Sequence, residues 1–120
     1  RKLQLPAAPA EDVAEGLGLM MVAFIRPLQL AMPTVAAVNG HAFGAGMMFA
    51  LGHDYRLQRE DRGYMCAPEV EIGVGIPPPE MDLFAHAMSK PSFYQTVMAA
   101  KRWSAPEALS EGLIVQASPA

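Results

Sequence analysis

The spacing of apolar residues changes along the chain, from a helical period near the start to short runs that alternate with turns. Glu11 and Asp12 precede apolar residues that recur every three or four positions, which predicts an amphipathic helix that ends near Ile25. Pro27 lacks an amide donor, so it is expected to end or kink this helix. Residues 1–10 are basic and then rich in proline and alanine, which predicts a loop.

Short strands and helices are predicted to alternate after residue 32. The segment 68–79 carries prolines and glycines at irregular intervals, so it is predicted to be a loop, of the kind that often carries functional residues. Ser104, Pro106 and Glu107 form a pattern typical of a helix start. In chain order, the pattern predicts a strand at 34–38, a helix at 47–51, strands at 55–58 and 64–67, helices at 80–88, 92–100 and 104–112, and a last strand at 113–115.

Composition indicates a single globular domain over residues 1–120, with a loop and a helix in 1–31 and the core in 32–120. The hydrophobic fraction is 52% and the charged fraction is 18%, which is typical of a folded domain with a real core. The formal net charge is −3 and no basic cluster is present, so we expect no nucleic-acid binding. The most apolar window, 17–38, is interrupted by Arg26 and Pro33, so we expect no integral membrane segment.

Candidate metal ligands and nucleophiles are few. Cys66 is the single cysteine, which excludes a disulfide within the chain, and we interpret it as a packing residue rather than a nucleophile. The histidines lie far apart in the sequence, so no spacing of ligands predicts a metal site. These histidines are His41, His53 and His86.

The segment from Pro33 to Asp54 runs an apolar strand into a glycine-spaced turn and then into an apolar helix. Gly44 and Gly46 allow the backbone to approach whatever lies opposite the turn. Free N–H groups at the start of the following helix favour negative charge and could stabilise an oxyanion as it develops. Many α/β domains contain such a junction for close packing alone, so the residues by themselves leave both readings open.

Three stretches occur in one order, PTVAAVNGHAFGAG at 33–46, PEVEIGVGIPPP at 68–79 and AAKRWSAPEALSEGLIVQ at 99–116. Together they resemble the enoyl-CoA hydratase/isomerase family, the crotonase superfamily, over residues 32–116. The resemblance implies an α/β crotonase-like fold, a spiral of ββα units. Family members have an earlier strand and loop and further C-terminal helices, so the chain is expected to be truncated at both ends and the fold partial.

The resemblance implies roles for the residues of the glycine turn. The backbone N–H of Ala45, between Gly44 and Gly46, matches one of the two donors that hold the thioester oxygen of an acyl-CoA. The second donor comes from the earlier segment of the family fold. Met48, His41 and Ile76 are the candidate residues of the substrate pocket.

The resemblance also implies the group that transfers the proton. Hydratases of the family use two glutamates to position a water; Glu69 stands at the second of these positions and Met48 at the first. A single carboxylate suffices to move a proton from C2 to C4 of a 3-enoyl-CoA. The chain therefore resembles a Δ3,Δ2-enoyl-CoA isomerase, most of all the plant peroxisomal type. Glu71 and Glu80 are the other nearby carboxylates, and both are expected on the surface.

Two other functions stay open on the sequence. The chain could be a catalytically incomplete fragment or pseudoenzyme that at most binds partner subunits, or a hydratase, which Met48 disfavours. The resemblance implies an acyl-CoA thioester as the partner, with coenzyme A as part of the substrate and no separate cofactor. It further implies a trimer-like homo-oligomer in the intact protein, a peroxisomal setting and a role in fatty-acid β-oxidation.

Overall fold

A long helix, five short strands and five shorter helices make up the described part of the chain. The structure is a computed structural model that describes residues 9–119, and the loop predicted at 1–10 lies almost wholly outside that range. In chain order the elements are α1 (Ala10–Ile25), a 3-10 turn (Arg26–Gln29), β1 (Val35–Val38), β2 (Ala42–Phe43), α2 (Ala45–Leu51), β3 (Tyr55–Arg59), β4 (Met65–Cys66), α3 (Glu69–Ile72), α4 (Pro78–Ala87), α5 (Lys90–Val97), α6 (Ala105–Ser110) and β5 (Gln116–Ser118).

The strands form two parallel sheets because the chain repeats one motif, two strands followed by a helix. β1 and β2 lead into α2, and β3 and β4 lead into α3. Stacking the two repeats pairs β1 with β3 and β2 with β4, and β5 adds to the far side of β3. Each helix consequently starts beside the same edge of the small β2–β4 sheet. This is the ββα repeat that the sequence predicted.

The core lies between these sheets and the helices that follow them. Trp103, Phe84 and Met47 are the largest side chains that are wholly buried there. Several of the polar groups inside are paired, and the Trp103 indole N–H donates to Thr96 Oγ1 at 2.9 Å. The Gln58 amide in turn donates to the Trp103 carbonyl at 3.1 Å. Such pairing is what burial of polar groups requires.

The predicted amphipathic helix is present as α1, but it packs mainly through its last turns. Phe24 is buried and Met21 is partly buried against the core, whereas most apolar residues earlier in the helix are exposed. The contact with α2 is close, because a Cβ placed on Gly52 would lie only 2.0 Å from the Phe24 carbonyl oxygen. Gly52 therefore sets how near the end of α2 can approach α1.

The structure corrects the prediction that 68–79 is an irregular loop. Residues 69–72 form α3, which ends where Gly73 adopts a left-handed conformation with φ 69°. α4 already begins at Pro78, because proline is well suited to the first helical turn, where its missing N–H would have no acceptor. Only residues 73–77 remain as a connection between α3 and α4.

Two strand predictions were also wrong. β2 was missed because it has only two residues and exists through its pairing with β4. The last strand was predicted at 113–115, but pairing with β3 involves Gln116–Ser118. Leu113 and Ile114 are instead buried in the core, and the Leu113 amide donates to the Ala108 carbonyl at 2.8 Å. An apolar run alone does not distinguish a strand from a buried connection.

A side-chain clamp joins the starts of β1 and β3 and has a testable pH dependence. The Thr34 hydroxyl and amide both donate to Asp54 Oδ2, at 2.8 and 2.7 Å, and these bonds hold the pKa of Asp54 below its ordinary value. A carboxylate with a lowered pKa stabilises the fold above its unfolded-state pKa, and this contribution is lost as the pH falls through the folded-state pKa.

We therefore expect Asp54→Asn to lower the unfolding temperature near neutral pH and to have progressively less effect as the pH falls through the folded-state pKa of Asp54. Thermal unfolding of wild type and variant across this range measures the difference. Asp82→Asn, at an exposed carboxylate of α4, is the matched control and should show no comparable difference at any pH. A deficit of equal size at every pH would contradict the proposed ionic origin.

Candidate active site

The glycine turn joins β2 to α2 and holds a conformation that favours glycine. Gly44 has φ 52° and ψ −117°, and its amide donates to the Cys66 carbonyl at the end of β4, at 2.8 Å. Its own carbonyl accepts the amide of Met48, which starts the hydrogen bonding of α2. The start of α2 is thereby held next to the end of β4, where the chain turns into α3.

Glu69 is the first residue of α3 and points its carboxylate at this turn. Its side chain is buried, with 8% of the residue exposed, and Oε1 lies 3.2 Å from the position that a Cβ on Gly44 would take. The other oxygen, Oε2, is buried and has no hydrogen-bond partner among residues 9–119. A carboxylate that faces the glycine turn in this way is a candidate proton acceptor.

The N–H groups of the glycine turn complete the arrangement. Ala45 and Gly46 are in the first turn of α2, where N–H groups have no acceptor within the helix, and both residues are exposed. The site therefore combines an acceptor for a proton with donors for a negative oxygen. These are the two requirements for removing a proton next to a carbonyl group.

Glu80, predicted on the surface, is buried with only 6% of the residue exposed. Burial raises the pKa of the Glu80 carboxyl, and the negative charge of Glu69 raises it further. The prediction was wrong because α4 packs against α2 and α1, and this contact between distant segments is not visible in the residues around position 80.

An apolar cleft of about 210 Å³ lies between α3, α4 and α5. Ile76, which was predicted for the pocket, lines this cleft. Two other lining residues are sequence neighbours of the acidic residues: Val70 follows Glu69, and Met81 follows Glu80. The cleft is lined by Val70, Val74, Ile76, Met81 and Val97. Its composition suits an alkyl chain rather than a polar ligand.

The other two residues predicted for the pocket lie elsewhere. His41 is exposed, stacks on Tyr64 with ring centroids 5.8 Å apart, and lines a separate cleft along β1 together with Gly46. Met48 is 3% exposed and belongs to the hydrophobic core rather than to the wall of the apolar cleft. The structure thus brings Gly44 and Glu69 together and places Ile76 in the apolar cleft, whereas His41 lies in a separate cleft and Met48 in the core.

The remaining candidates take structural positions. Glu71 is exposed as predicted and pairs with Arg102 at 3.1 Å. The Cys66 thiol is buried, and burial raises its pKa, so it is held in the thiol form that is a poor nucleophile. Within residues 9–119, no three His, Cys, Asp or Glu side chains are grouped so as to hold a metal ion. No helix in this range is long and apolar enough to cross a membrane.

Gly44→Ala tests the turn directly. At this φ and ψ an alanine is strained by about 1–3 kcal/mol, and its Cβ would press on Glu69 Oε1. We expect a lower unfolding temperature together with displacement of the carboxylate. Gly46→Ala is the control for stability, because its Cβ would meet only Ala42 at an ordinary 3.8 Å. An equal loss of stability in both variants, measured by thermal unfolding, would show that the Gly44 conformation is not special.

Comparison with known proteins identifies the family. Residues 21–120 match the model of a family described as enoyl-CoA hydratase/isomerase. The chain belongs to this family. Over 87 residues it is 38% identical to enoyl-CoA delta isomerase 1, peroxisomal, of Arabidopsis thaliana, an alignment that covers 68% of this chain and 36% of the relative. Over 50 residues it is 56% identical to enoyl-CoA delta isomerase 3 of the same plant, covering 42% of this chain and 21% of the relative.

Solved structures confirm the crotonase-like fold. The enoyl-CoA hydratase EchA3 of Mycobacterium ulcerans superposes with a TM-score of 0.88 at 26% identity, covering 96% of this chain and 50% of that one. A crotonase-type enoyl-CoA hydratase/isomerase of Legionella pneumophila gives 0.82 at 25% identity, covering 93% and 42%. The chain thus spans about half the length of these solved structures. Its alignments with the two Arabidopsis thaliana isomerases span about a third or less of the length of those relatives.

Proposed function

We propose that the chain carries the catalytic base of a Δ3,Δ2-enoyl-CoA isomerase, which converts a 3-enoyl-CoA into the 2-trans-enoyl-CoA in fatty-acid β-oxidation. The observation that carries this proposal is the buried Glu69 carboxylate, whose Oε1 lies against the glycine turn at the start of α2. The names of the Arabidopsis thaliana relatives, enoyl-CoA delta isomerases 1 and 3, support the same reaction class.

In the proposed reaction Glu69 is both base and acid. The thioester oxygen accepts a hydrogen bond from the Ala45 N–H, which stabilises the negative charge that develops there. Glu69 removes a proton from C2, and the electrons of the C2–H bond move into the thioester to form an enolate conjugated with the C3–C4 double bond. The same carboxyl then returns the proton to C4, where the C3–C4 electrons take it up while the thioester carbonyl re-forms. The double bond then lies between C2 and C3, and no atom is gained or lost.

The surroundings of Glu69 favour proton transfer over the addition of water. Hydration needs a second polar group to position the water, and the corresponding residue is Met48, whose side chain is packed in the core. A thioether in the core neither binds nor activates water. The apolar cleft between α3, α4 and α5 is of a composition that would take the alkyl part of the acyl group.

The proposal is tested by incubating the protein with a 3-enoyl-CoA and separating the thioester products by chromatography. We expect the 2-enoyl-CoA as the main product. A second incubation starts from a 2-enoyl-CoA. Its conversion mainly into a 3-hydroxyacyl-CoA would support the hydratase instead. Absence of any reaction, combined with an unfolding temperature that acyl-CoA does not raise, would support the incomplete fragment, because a ligand that binds the native state raises its stability.

A further inference from the structure

A polar cleft of about 300 Å³ lies beyond the end of α2, away from the glycine turn. It is bordered by the last residue of α2, the start of β3, the last turn of α4 and the 3-10 turn. α2 begins at the glycine turn and runs about 10 Å to Leu51, so the cleft and Gly44 are at opposite ends of this helix. The polar side chains of the cleft are those of His53, Asp54, Tyr55, Arg56 and His86.

Arg56 is a buried cation on the wall of this cleft, and no carboxylate of the described chain forms an ion pair with it. Only 9% of the residue is exposed, and none of the ion pairs within residues 9–119 includes it. Nε donates to the Leu113 carbonyl at 2.7 Å and Nη1 donates to the His53 carbonyl at 2.6 Å, so both partners are neutral oxygens. Arginine is rarely buried without a charged partner, because removing the guanidinium from water is costly.

The guanidinium of Arg56 still has donors that a ligand can use. Two of its five N–H donors are used by the two carbonyls, and Nη2 makes no hydrogen bond within the described residues. Nη2 is not sealed in the interior either, since the buried side-chain N and O atoms without a partner in this range are Gln58 Oε1 and Glu69 Oε2. Because Arg56 lines the cleft, Nη2 is accessible from it. The two carbonyls meanwhile fix the plane of the guanidinium before any ligand arrives.

Two histidines and a tyrosine add polar groups around Arg56. His53 Nδ1 lies 2.8 Å from the Phe49 carbonyl oxygen, which can only accept, so Nδ1 carries a proton and Nε2 is left for a ligand. Tyr55 and His86 line the same cleft and are exposed, so the hydroxyl and the second ring are open to a ligand as well. The cleft therefore offers one fixed cation together with side chains that can donate or accept.

Asp54 carries the one negative charge among the described residues that line the cleft. Its Oδ2 accepts both donors of Thr34, which holds the carboxylate at the start of β1. Burial lowers the pKa of the Arg56 guanidinium, and the charge of Asp54 raises it by less, so Asp54 offsets only part of the cost of burying the cation. An anion in the cleft would be attracted by Arg56 and repelled by Asp54. The two residues therefore provide opposite tests of anion binding.

We propose that this cleft binds a phosphate group, with Arg56 Nη2 donating to a phosphate oxygen and the rings of His53 and His86 beside it. Near neutral pH a phosphate carries an O–H in part of its population, so it can accept from a guanidinium and donate to a neutral imidazole, whereas a carboxylate only accepts. A metal ion does not fit, because Arg56 repels a cation and no three ligating side chains within residues 9–119 are grouped to hold one. The proposal is independent of the isomerase function, since no lining residue belongs to the Glu69 site.

The site is tested by adding inorganic phosphate, at constant pH and ionic strength, to protein labelled with 13C-histidine and recording the ring signals by NMR. We expect the signals of His53 and His86 to shift together with a Kd of about 1 mM or tighter. His41 is not in this cleft, so its signal is the internal control. Equal shifts of all three histidines, or no shift of His53 and His86, overturn the proposal, and an equal response to acetate overturns the choice of phosphate.

A parallel titration with glycerol 3-phosphate distinguishes the two sources of a phosphate group. A lower Kd than for inorganic phosphate identifies the ligand as the phosphate monoester of a small molecule, because the rest of the molecule then contacts the cleft. A response to inorganic phosphate alone identifies the free ion. The absence of a response to both overturns the proposal, whatever the isomerase assay gives.

Two substitutions should change the Kd for phosphate in opposite directions. Asp54→Asn removes the opposing charge and should tighten binding about two- to fivefold. Arg56→Lys keeps a positive charge but loses the planar fork, so it should weaken binding about tenfold or more. Asp82→Asn and Arg62→Lys make the same changes at exposed residues outside the cleft and should leave the Kd unchanged.

Wild-type affinity in a folded Arg56→Lys variant, or weaker binding in Asp54→Asn, overturns the assignment. Should Arg56→Lys fail to fold, the histidine signals of the wild type and the Asp54→Asn variant still decide the question, because neither depends on it.

Discussion

Glu69→Gln is expected to lower kcat for isomerisation of a 3-enoyl-CoA by about 10²–10⁴-fold. Glutamine has nearly the same shape as glutamate, but its amide cannot accept the C2 proton or return it to C4. The apolar cleft and the N–H groups of the turn are unchanged in this variant, so KM should change much less than kcat. The measurement is the rate of 2-enoyl-CoA formation under saturating substrate, together with a thermal unfolding curve to verify that the fold is kept.

The matched control is Glu71→Gln, the same chemical change two residues along the same helix. Glu71 is exposed and pairs with Arg102, and a surface ion pair contributes little to stability. This variant should therefore retain wild-type kinetics and nearly wild-type stability. Comparable activity in Glu69→Gln and wild type would remove Glu69 from the mechanism, and a loss confined to Glu71→Gln would move the base to that residue.

Gly52→Ala is expected to give the largest loss of stability. The added Cβ would lie 2.0 Å from the Phe24 carbonyl oxygen, and both atoms belong to backbone segments that cannot move independently. Either α1 must move away from α2 or both helices must distort, and overpacking of this kind costs about 3 kcal/mol. For a domain of this size we expect the unfolding temperature to fall by about 10 °C, measured by circular dichroism.

Gly16→Ala is the control for this substitution, because it makes the same change where nothing is close. A Cβ on Gly16 would meet no atom within 4 Å, and Gly16 is inside the helix α1. Alanine favours a helix interior over glycine by about 0.5–1 kcal/mol, so this variant should be slightly more stable than wild type. A neutral result for Gly52→Ala would show that α1 is not docked on α2 as described.

The sequence predicted the strand-to-helix junction where the information is local. The order of an apolar strand, an Asn-Gly turn and closely spaced glycines predicted the junction at Gly44, because glycine conformations and turn preferences act over a few residues. The roles of Glu69 and Ala45 came from resemblance to a family. The structure places Glu69 beside Gly44, 25 positions earlier in the chain, through the pairing of β2 with β4.

Contacts between distant segments explain what the sequence did not predict. Glu80 looked like a surface residue because its own neighbours are prolines and a methionine, and nothing in them indicates that Glu69 lies opposite. Leu113 and Ile114 looked like a strand because an apolar run fits either a strand or a buried connection. β2 is too short for any periodicity and exists only as the partner of β4.

By itself the sequence determined the class of the protein: alternating strands and helices, a glycine turn at a helix start and a family resemblance. These follow from backbone preferences and residue types that act within a short stretch of chain. Only the tertiary structure decided which side chains share the site, because stacking the two ββα repeats brings Gly44 to Glu69, buries Glu80 near its charge, and leaves His41 and Met48 elsewhere. Burial and the distances between charges depend on that stacking, and they decide which carboxyl keeps its proton.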